Sequence, residues 1–223
     1  MADQKHKVSR RGLIQQAGMA GAAAAASSAG ITPAVAAGAP PAPPPPREAL
    51  ETLNATEAEA LDAVVARLIP TDENGPGATE ARAAHYIDRQ LAGPLKALRE
   101  TYANGLAALD EYARSKKGAV FARLAPADQD AILTDMEKNA ATGFAPDSAS
   151  FFTLLRTHTI EGMFSDPYYG GNANFAGWDL LGYPGIRMGV TALDQRMSAK
   201  PERIRKSAYD DPMFSRKGGE HGH

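Results

Sequence analysis

Cysteine is absent from all 223 residues. That absence excludes disulfides, thiolate metal sites, cysteine-ligated iron–sulfur clusters and a covalently attached C-x-x-C-H haem. Stability must therefore come from packing. Apolar runs of bilayer length are lacking too. Ala17 to Ile31 is the nearest approach, and it is too short and too rich in Gly, Ala and Ser to span a membrane. The chain also lacks strand-like alternation and any internal repeat. No G-x-S-x-G surrounds a serine, and no H-E-x-x-H or paired histidine ligand set occurs. Gly75-Pro76-Gly77 lacks a third glycine and follows a helical pattern, so it is no dinucleotide fingerprint. The basic residues carry no nucleic-acid-binding motif, so no nucleic-acid partner is expected.

What is present falls into four parts. Residues 1–37 read as an export signal. Lys5, Lys7, Arg10 and Arg11 form a basic start, the weakly apolar run follows, and Ala34-Val35-Ala36 is a cleavage-site pattern. "SRRGLI" resembles the twin-arginine signal, with Arg10 and Arg11 as the pair and Leu13 as an apolar follower. A chance arginine pair in an ordinary secretory signal is the alternative. The twin-arginine route carries folded cargo, and periplasmic localisation is expected. Residues 38–47 are a proline-rich linker, since "APPAPPPP" cannot continue a helix. Residues 48–198 are a helical domain, and residues 199–223 a basic and polar tail. The formal charge of −2 conceals this division. From Glu48 to Gln195, 21 acidic and 12 basic side chains leave −9; from Arg196 to Lys217, 7 basic and 3 acidic leave +4. A tail of that sign could meet an acidic partner or membrane headgroups.

The domain is expected to be all-α, with about five helices followed by a long irregular aromatic Gly/Pro-rich segment and an extended C-terminal tail. Leu61, Val64, Val65 and Leu68 recur at helical spacing after Asn54 or Thr56 as N-cap, and Pro70 ends that helix. Ala78 to Leu91 reads as the second, closed by Gly93-Pro94. Leu95, Leu98, Tyr102, Leu106, Leu109 and Ala113 mark a third, to about Lys116. Pro126 suits the first turn of a fourth, whose Ile132, Leu133 and Met136 face a core. Ser148 is read as the cap of a fifth, with Phe151, Phe152, Leu154, Leu155 and His158 on its apolar face. The tail beyond Ser198 is expected to be poorly packed by itself.

Candidate chemistry is sparse. His158 and Asp166 could form an acid–base pair. A histidine on an apolar face is more often a buried hydrogen-bonding group that pins a loop to its helix. His85 is expected at the surface or boundary. The acidic pairs Glu57/Glu59 and Asp128/Asp130 sit in first helical turns, where they serve the helix dipole. "EHGH" at the C-terminus could pick up a metal, although a ragged polar end is the plainer reading. The unusual stretch is "GMFSDPYYGGNANFAGWDLLGYPG", Gly162 to Gly185. Asp166 can cap local amides, and Gly170 and Gly171 permit sharp reversal. Tyrosine and tryptophan combine large apolar area with a polar handle, which suits interface anchors. Trp178 and Phe164 are expected to face inward, and Tyr168, Tyr169 and their neighbours a partner.

These residues carry a resemblance. Asp166-Pro167-Tyr168-Tyr169-Gly170-Gly171-Asn172, then Gly177-Trp178 and Tyr183-Pro184-Gly185, resemble the signature of the gluconate 2-dehydrogenase subunit 3 family, whose pattern has a histidine-bearing helix before it. "RLIPTDENGPGA", Arg67 to Ala78, is similar to that family's early I-P-x-D segment. The resemblance implies a small, or gamma, subunit of a periplasmic sugar, sugar-acid or polyol dehydrogenase. It implies no cofactor on this chain, FAD in a large partner subunit of the glucose–methanol–choline type, and haem c in a multihaem cytochrome subunit. It further implies that this chain supplies the export signal, carries out the folded flavoprotein and meets the membrane only through the complex. On that reading His158, Asp166, Pro167, Tyr168, Tyr169, Gly170, Gly171, Asn172, Trp178, Tyr183 and Pro184 form the partner interface or its structural motif, and no residue is catalytic. Two other readings stand beside it: a stand-alone periplasmic enzyme built on His158 and Asp166, and a non-catalytic periplasmic binding module.

Overall fold

A computed structural model describes residues 50–187, 189–200 and 202–212. The expected export signal with Arg10, Arg11 and Leu13, the proline-rich linker and the terminal "EHGH" lie outside the described residues. Six α-helices and no strand occur among those that are described: α1 (Ala55–Leu68), α2 (Ala83–Ala92), α3 (Arg99–Lys117), α4 (Pro126–Glu137), α5 (Ser148–Phe164) and α6 (Ala176–Leu181). The all-α expectation holds, and several boundaries move.

Helix α1 starts as its sequence indicates. The Asn54 side chain accepts from the Glu57 amide at 3.0 Å, and the Glu57 carboxylate accepts from the Asn54 amide at 2.9 Å. This reciprocal capping box satisfies two donors that a helix start leaves open. Thr56 lies inside the helix instead. Helix α2 begins at Ala83 rather than Ala78, because Arg82 takes left-handed backbone angles, φ 60° and ψ 38°. The preceding residues form a turn in which the Ala78 amide donates to the Ile69 carbonyl at 2.8 Å. Helix α3 is preceded by a separate 3-10 turn, Lys96–Leu98, so Leu95 and Leu98 lie outside it. Asp147, not Ser148, caps α5: its carboxylate accepts from the Ser150 amide at 2.8 Å. Ser148 is buried and its hydroxyl donates to the Met136 carbonyl.

The core lies between α1 and α5. It contains Leu61, Val64, Ile87, Leu91, Tyr102, Leu106, Leu109, Phe121, Ile132, Met136, Phe151 and Leu155, and it includes no residue beyond Leu155. Burying a side chain of this size is worth about 1.5–3 kcal/mol, so these five helices supply most of the apolar stabilisation. Asp130 departs from its expected role, since Arg67 grips its carboxylate with two hydrogen bonds, 2.7 and 2.6 Å. Both partners are substantially exposed, which limits such a pair to under about 1 kcal/mol.

The aromatic segment is not wholly irregular. It holds the 3-10 turns Pro167–Tyr169 and Ala173–Phe175 as well as helix α6. Nor is the tail unattached. Residues 202–207 lie along this segment without regular secondary structure, and a 3-10 turn, Ala208–Asp210, ends the contact. Ser207 is buried.

Candidate functional site: an aromatic loop clasped to helix α5

A helix end leaves its last four carbonyls without intrahelical donors. At α5 the loop that follows supplies donors to Gly162, Phe164 and the next carbonyl, Ser165. The Asn172 amide donates to Gly162 O at 2.7 Å, and its side-chain Nδ2 donates to Ser165 O at 2.8 Å. The Trp178 indole Nε1 donates to Phe164 O at 2.9 Å. Asn172 then turns its Oδ1 the other way. It accepts from the Gly177 amide at 2.8 Å and, more distantly, from the Trp178 amide at 3.4 Å, so it caps the start of α6. One wholly buried asparagine thus joins the end of one helix to the beginning of the next. It does so with φ 44° and ψ 39°, a left-handed conformation that asparagine tolerates better than most residues.

Two glycines make the approach close enough. A Cβ on Gly171 would lie 2.1 Å from Gly162 O, and one on Gly177 would lie 2.0 Å from Met163 O. Neither carbonyl belongs to a side chain that could move aside. The glycines of the Y-G-G-N and G-W stretches are therefore required by contact with the backbone of α5. Trp178 faces inward as expected, 8% exposed. Phe164 is only half-buried, since its carbonyl rather than its ring makes the tie.

Helix α2 holds the other side of the loop. Arg89 Nη1 donates to Tyr168 O at 3.1 Å, and Gln90 Nε2 donates to Tyr169 O at 3.3 Å. Gly170 reverses the chain beside His85, which is half-buried as a boundary residue. Tyr168 is 48% exposed, Tyr169 36% and Tyr183 45%. Tyr183 meets Trp178 edge to face at 4.9 Å, and Pro184 next to it is half-buried. Glu51, Arg89, Gln90, Pro94, Tyr168 and Tyr169 border an open hollow of about 310 Å³.

His158 and Asp166 do not form a pair. His158 is buried, and its Nδ1 shares a 2.8 Å hydrogen bond with the Tyr102 hydroxyl. The two rings stack at 5.9 Å with 12° between their planes. Burial pushes the imidazole below its ordinary pKa, with Glu161 opposing weakly, so His158 favours the neutral form. Burial also drives Tyr102 far above the usual phenol range. Neighbouring Tyr86 is pushed up to about 12 by burial and by Glu161, whose carboxylate accepts from its hydroxyl at 3.2 Å. Asp166 instead accepts from the Tyr168 amide at 2.9 Å, the Ala208 amide at 2.7 Å and the Ser207 hydroxyl. His158 is a buried hydrogen-bonding group, but it ties α5 to Tyr102 of helix α3 rather than pinning a loop. Among the described residues, no group of three or more histidines and carboxylates stands together to hold a metal ion.

Sequence reasoning overlooked Asp88. This wholly buried carboxylate accepts from the amides of Glu51, Thr52 and Leu53 at 2.6, 3.0 and 2.8 Å, and from the Thr52 hydroxyl at 3.0 Å. Burial acts to raise its pKa, and these donors together hold it below the ordinary value. The available signal was an acid inside the apolar stripe Tyr86, Ile87, Leu91. Tyr209 was overlooked as well. No local pattern in the tail marks it.

The family model for gluconate 2-dehydrogenase subunit 3 matches residues 55–185. The chain belongs to this family. The match starts with α1 and ends at Gly185, so it takes in the whole clasp between α5, Asn172 and α6. No curated protein and no solved structure matches the chain. The gluconate 2-dehydrogenase subunit 3 family is by name a subunit family, which fits a domain whose motif residues build a surface. Among the described residues no helix is long and apolar enough to cross a membrane.

Proposed function

We propose that this chain is the small accessory subunit of a periplasmic FAD-dependent dehydrogenase that oxidises gluconate or a related sugar acid, sugar or polyol. Oxidation takes place in a large flavoprotein partner of the glucose–methanol–choline type, which holds the FAD. A multihaem cytochrome c subunit receives the electrons and brings the complex to the membrane. The chain grips the folded flavoprotein, stabilises it and takes it through the twin-arginine route by means of Arg10, Arg11 and Leu13.

The observation that carries this reading is the family match, which runs through the loop that presents Tyr168, Tyr169 and Tyr183 to solvent. Half-exposed tyrosines on a rigid base are suited to interface anchoring, because their ordering cost is already met by Asn172, Trp178, Arg89 and Gln90. His158 ties α5, the helix that carries the loop, to Tyr102 of α3.

The test is cell fractionation with Arg10→Lys and Arg11→Lys introduced together. This chain and the flavoprotein should both stay in the cytoplasm. Normal periplasmic levels of the flavoprotein would refute the escort role.

A further inference from the structure

The tail is bound to the loop as a peptide is bound to a receptor. Residues 202–206 have no regular secondary structure, Ser207 is extended at φ −68° and ψ 151°, and the 3-10 turn Ala208–Asp210 follows. Arg203, Arg205, Ser207 and Tyr209 all contact the loop between Asp166 and Asp179. Arg203 and Arg205 reach Asp179 at 3.6 and 2.6 Å. Arg205 also donates to the Asn174 carbonyl and lies over the Phe175 ring, 5.5 Å from its centre. The Ile204 amide donates to Pro184 O at 2.8 Å. Ser207 and the Ala208 amide share the Asp166 carboxylate. Tyr209 stacks on Tyr168 at 3.7 Å, meets Tyr169 edge-on at 5.7 Å, and joins its hydroxyl to that of Tyr169 at 2.6 Å. Lys206, between Arg205 and Ser207, is exposed.

From this we infer that Asp166, Tyr168, Tyr169, Phe175 and Asp179 form a binding site for a basic segment of the pattern Arg-x-Arg-x-Ser-x-Tyr, and that the chain's own residues 203–209 occupy it as a releasable ligand. Charge agrees with it, since two carboxylates of the acidic domain face a tail of opposite sign. Release leaves the domain folded, because no buried apolar side chain of the core belongs to the tail and the contacts are mostly polar or half-exposed. A covalent tether gives the tail an effective concentration on the order of millimolar, so even a weak site stays filled. The site lies within the family's matched span, and its ligand lies beyond it. The site shares Tyr168 and Tyr169 with the surface proposed to meet the flavoprotein, but the peptide assay below uses no partner, so the two readings fail separately.

The test uses the full chain and a fluorescent peptide of the sequence Glu202 to Pro212, followed by anisotropy. The chain carrying Ser207→Ala and Tyr209→Ala keeps the site and weakens its own tail. It should bind the peptide at least ten-fold more tightly than the unaltered chain does. Adding Asp166→Asn, which retains an acceptor for the Tyr168 amide, should reverse that gain, as should Asp179→Asn made separately. Raising the salt should weaken binding, and a peptide with both tail substitutions should not bind. Equal binding by the unaltered and tail-weakened chains, or no binding by a tail-weakened chain of normal helical content, would overturn the inference. So would unchanged affinity in both aspartate variants.

Discussion

Asn172→Ala tests the clasp directly, and its cost follows from the geometry. The Asn172 side chain satisfies Ser165 O at 2.8 Å and the Gly177 amide at 2.8 Å. Removing one partner from a buried polar group costs about 1–3 kcal/mol. Alanine would also have to hold a left-handed conformation, for about 1–2 kcal/mol. With two partners orphaned, these together predict a loss of about 3–8 kcal/mol, a large part of the roughly 5–15 kcal/mol that keeps a typical domain folded. Asn172→Gly loses the same hydrogen bonds without that backbone strain, so it should be less harmful than alanine by about 1 kcal/mol. Trp178 is the chain's one tryptophan and is bonded to the same helix end, so its fluorescence reports on the clasp. Denaturant unfolding should be followed by tryptophan emission and by far-UV circular dichroism. In Asn172→Ala the emission should change at lower denaturant than in the unaltered chain, and before the helical signal falls. A midpoint within experimental error of the unaltered chain would refute the structural role given to Asn172.

Further outcomes follow from other contacts. Gly177→Ala places a Cβ against Met163 O, so thermal unfolding should show a loss at or above the roughly 1–3 kcal/mol typical of overpacking. An unchanged Tm would show that α6 can retreat from α5. Asp88→Ala leaves three amides of residues 51–53 without their acceptor, for about 3–5 kcal/mol. Hydrogen exchange at Glu51 to Leu53 should quicken, and retained protection would contradict the assignment. His158 has a folded pKa below its ordinary 6.5, so the unfolded chain takes up the proton more readily. Its effect on stability is therefore nil well above pH 6.5 and becomes destabilising as pH falls through and below that value. His158→Gln should flatten this part of the stability–pH profile, and an unaltered slope would mean that other groups set it.

Local signals led to the parts of the fold that local physics decides. Asn54 as a candidate N-cap, Pro126 at a helix start, and the spacing of Leu61, Val64 and Val65 each state a helix within a few residues. The loop motif was legible because its glycines and Asn172 answer a backbone requirement at the end of α5. Choices made by distant contacts were not legible. Asp147 and Ser148 are both good caps, and only the packing of Ser148 beneath Met136 separates them. Arg82 turns left-handed in a tertiary setting that no neighbour in sequence announces. Helix α6 has six residues, too few to show a period. The tail was read as loose because its partners lie far along the chain: Asp166 is 41 residues before Ser207, and Asp179 is 26 before Arg205.

The central claim is that this polypeptide works by holding a redox protein. Its most direct test is native purification of the tagged chain from the cells that produce it, with flavin absorbance and gluconate-dependent dye reduction measured on each fraction. Flavin and turnover should accompany a second, larger polypeptide in fixed ratio to this one and vanish from the chain once it is stripped of that partner. Gluconate oxidation by the purified chain without a partner would contradict the claim.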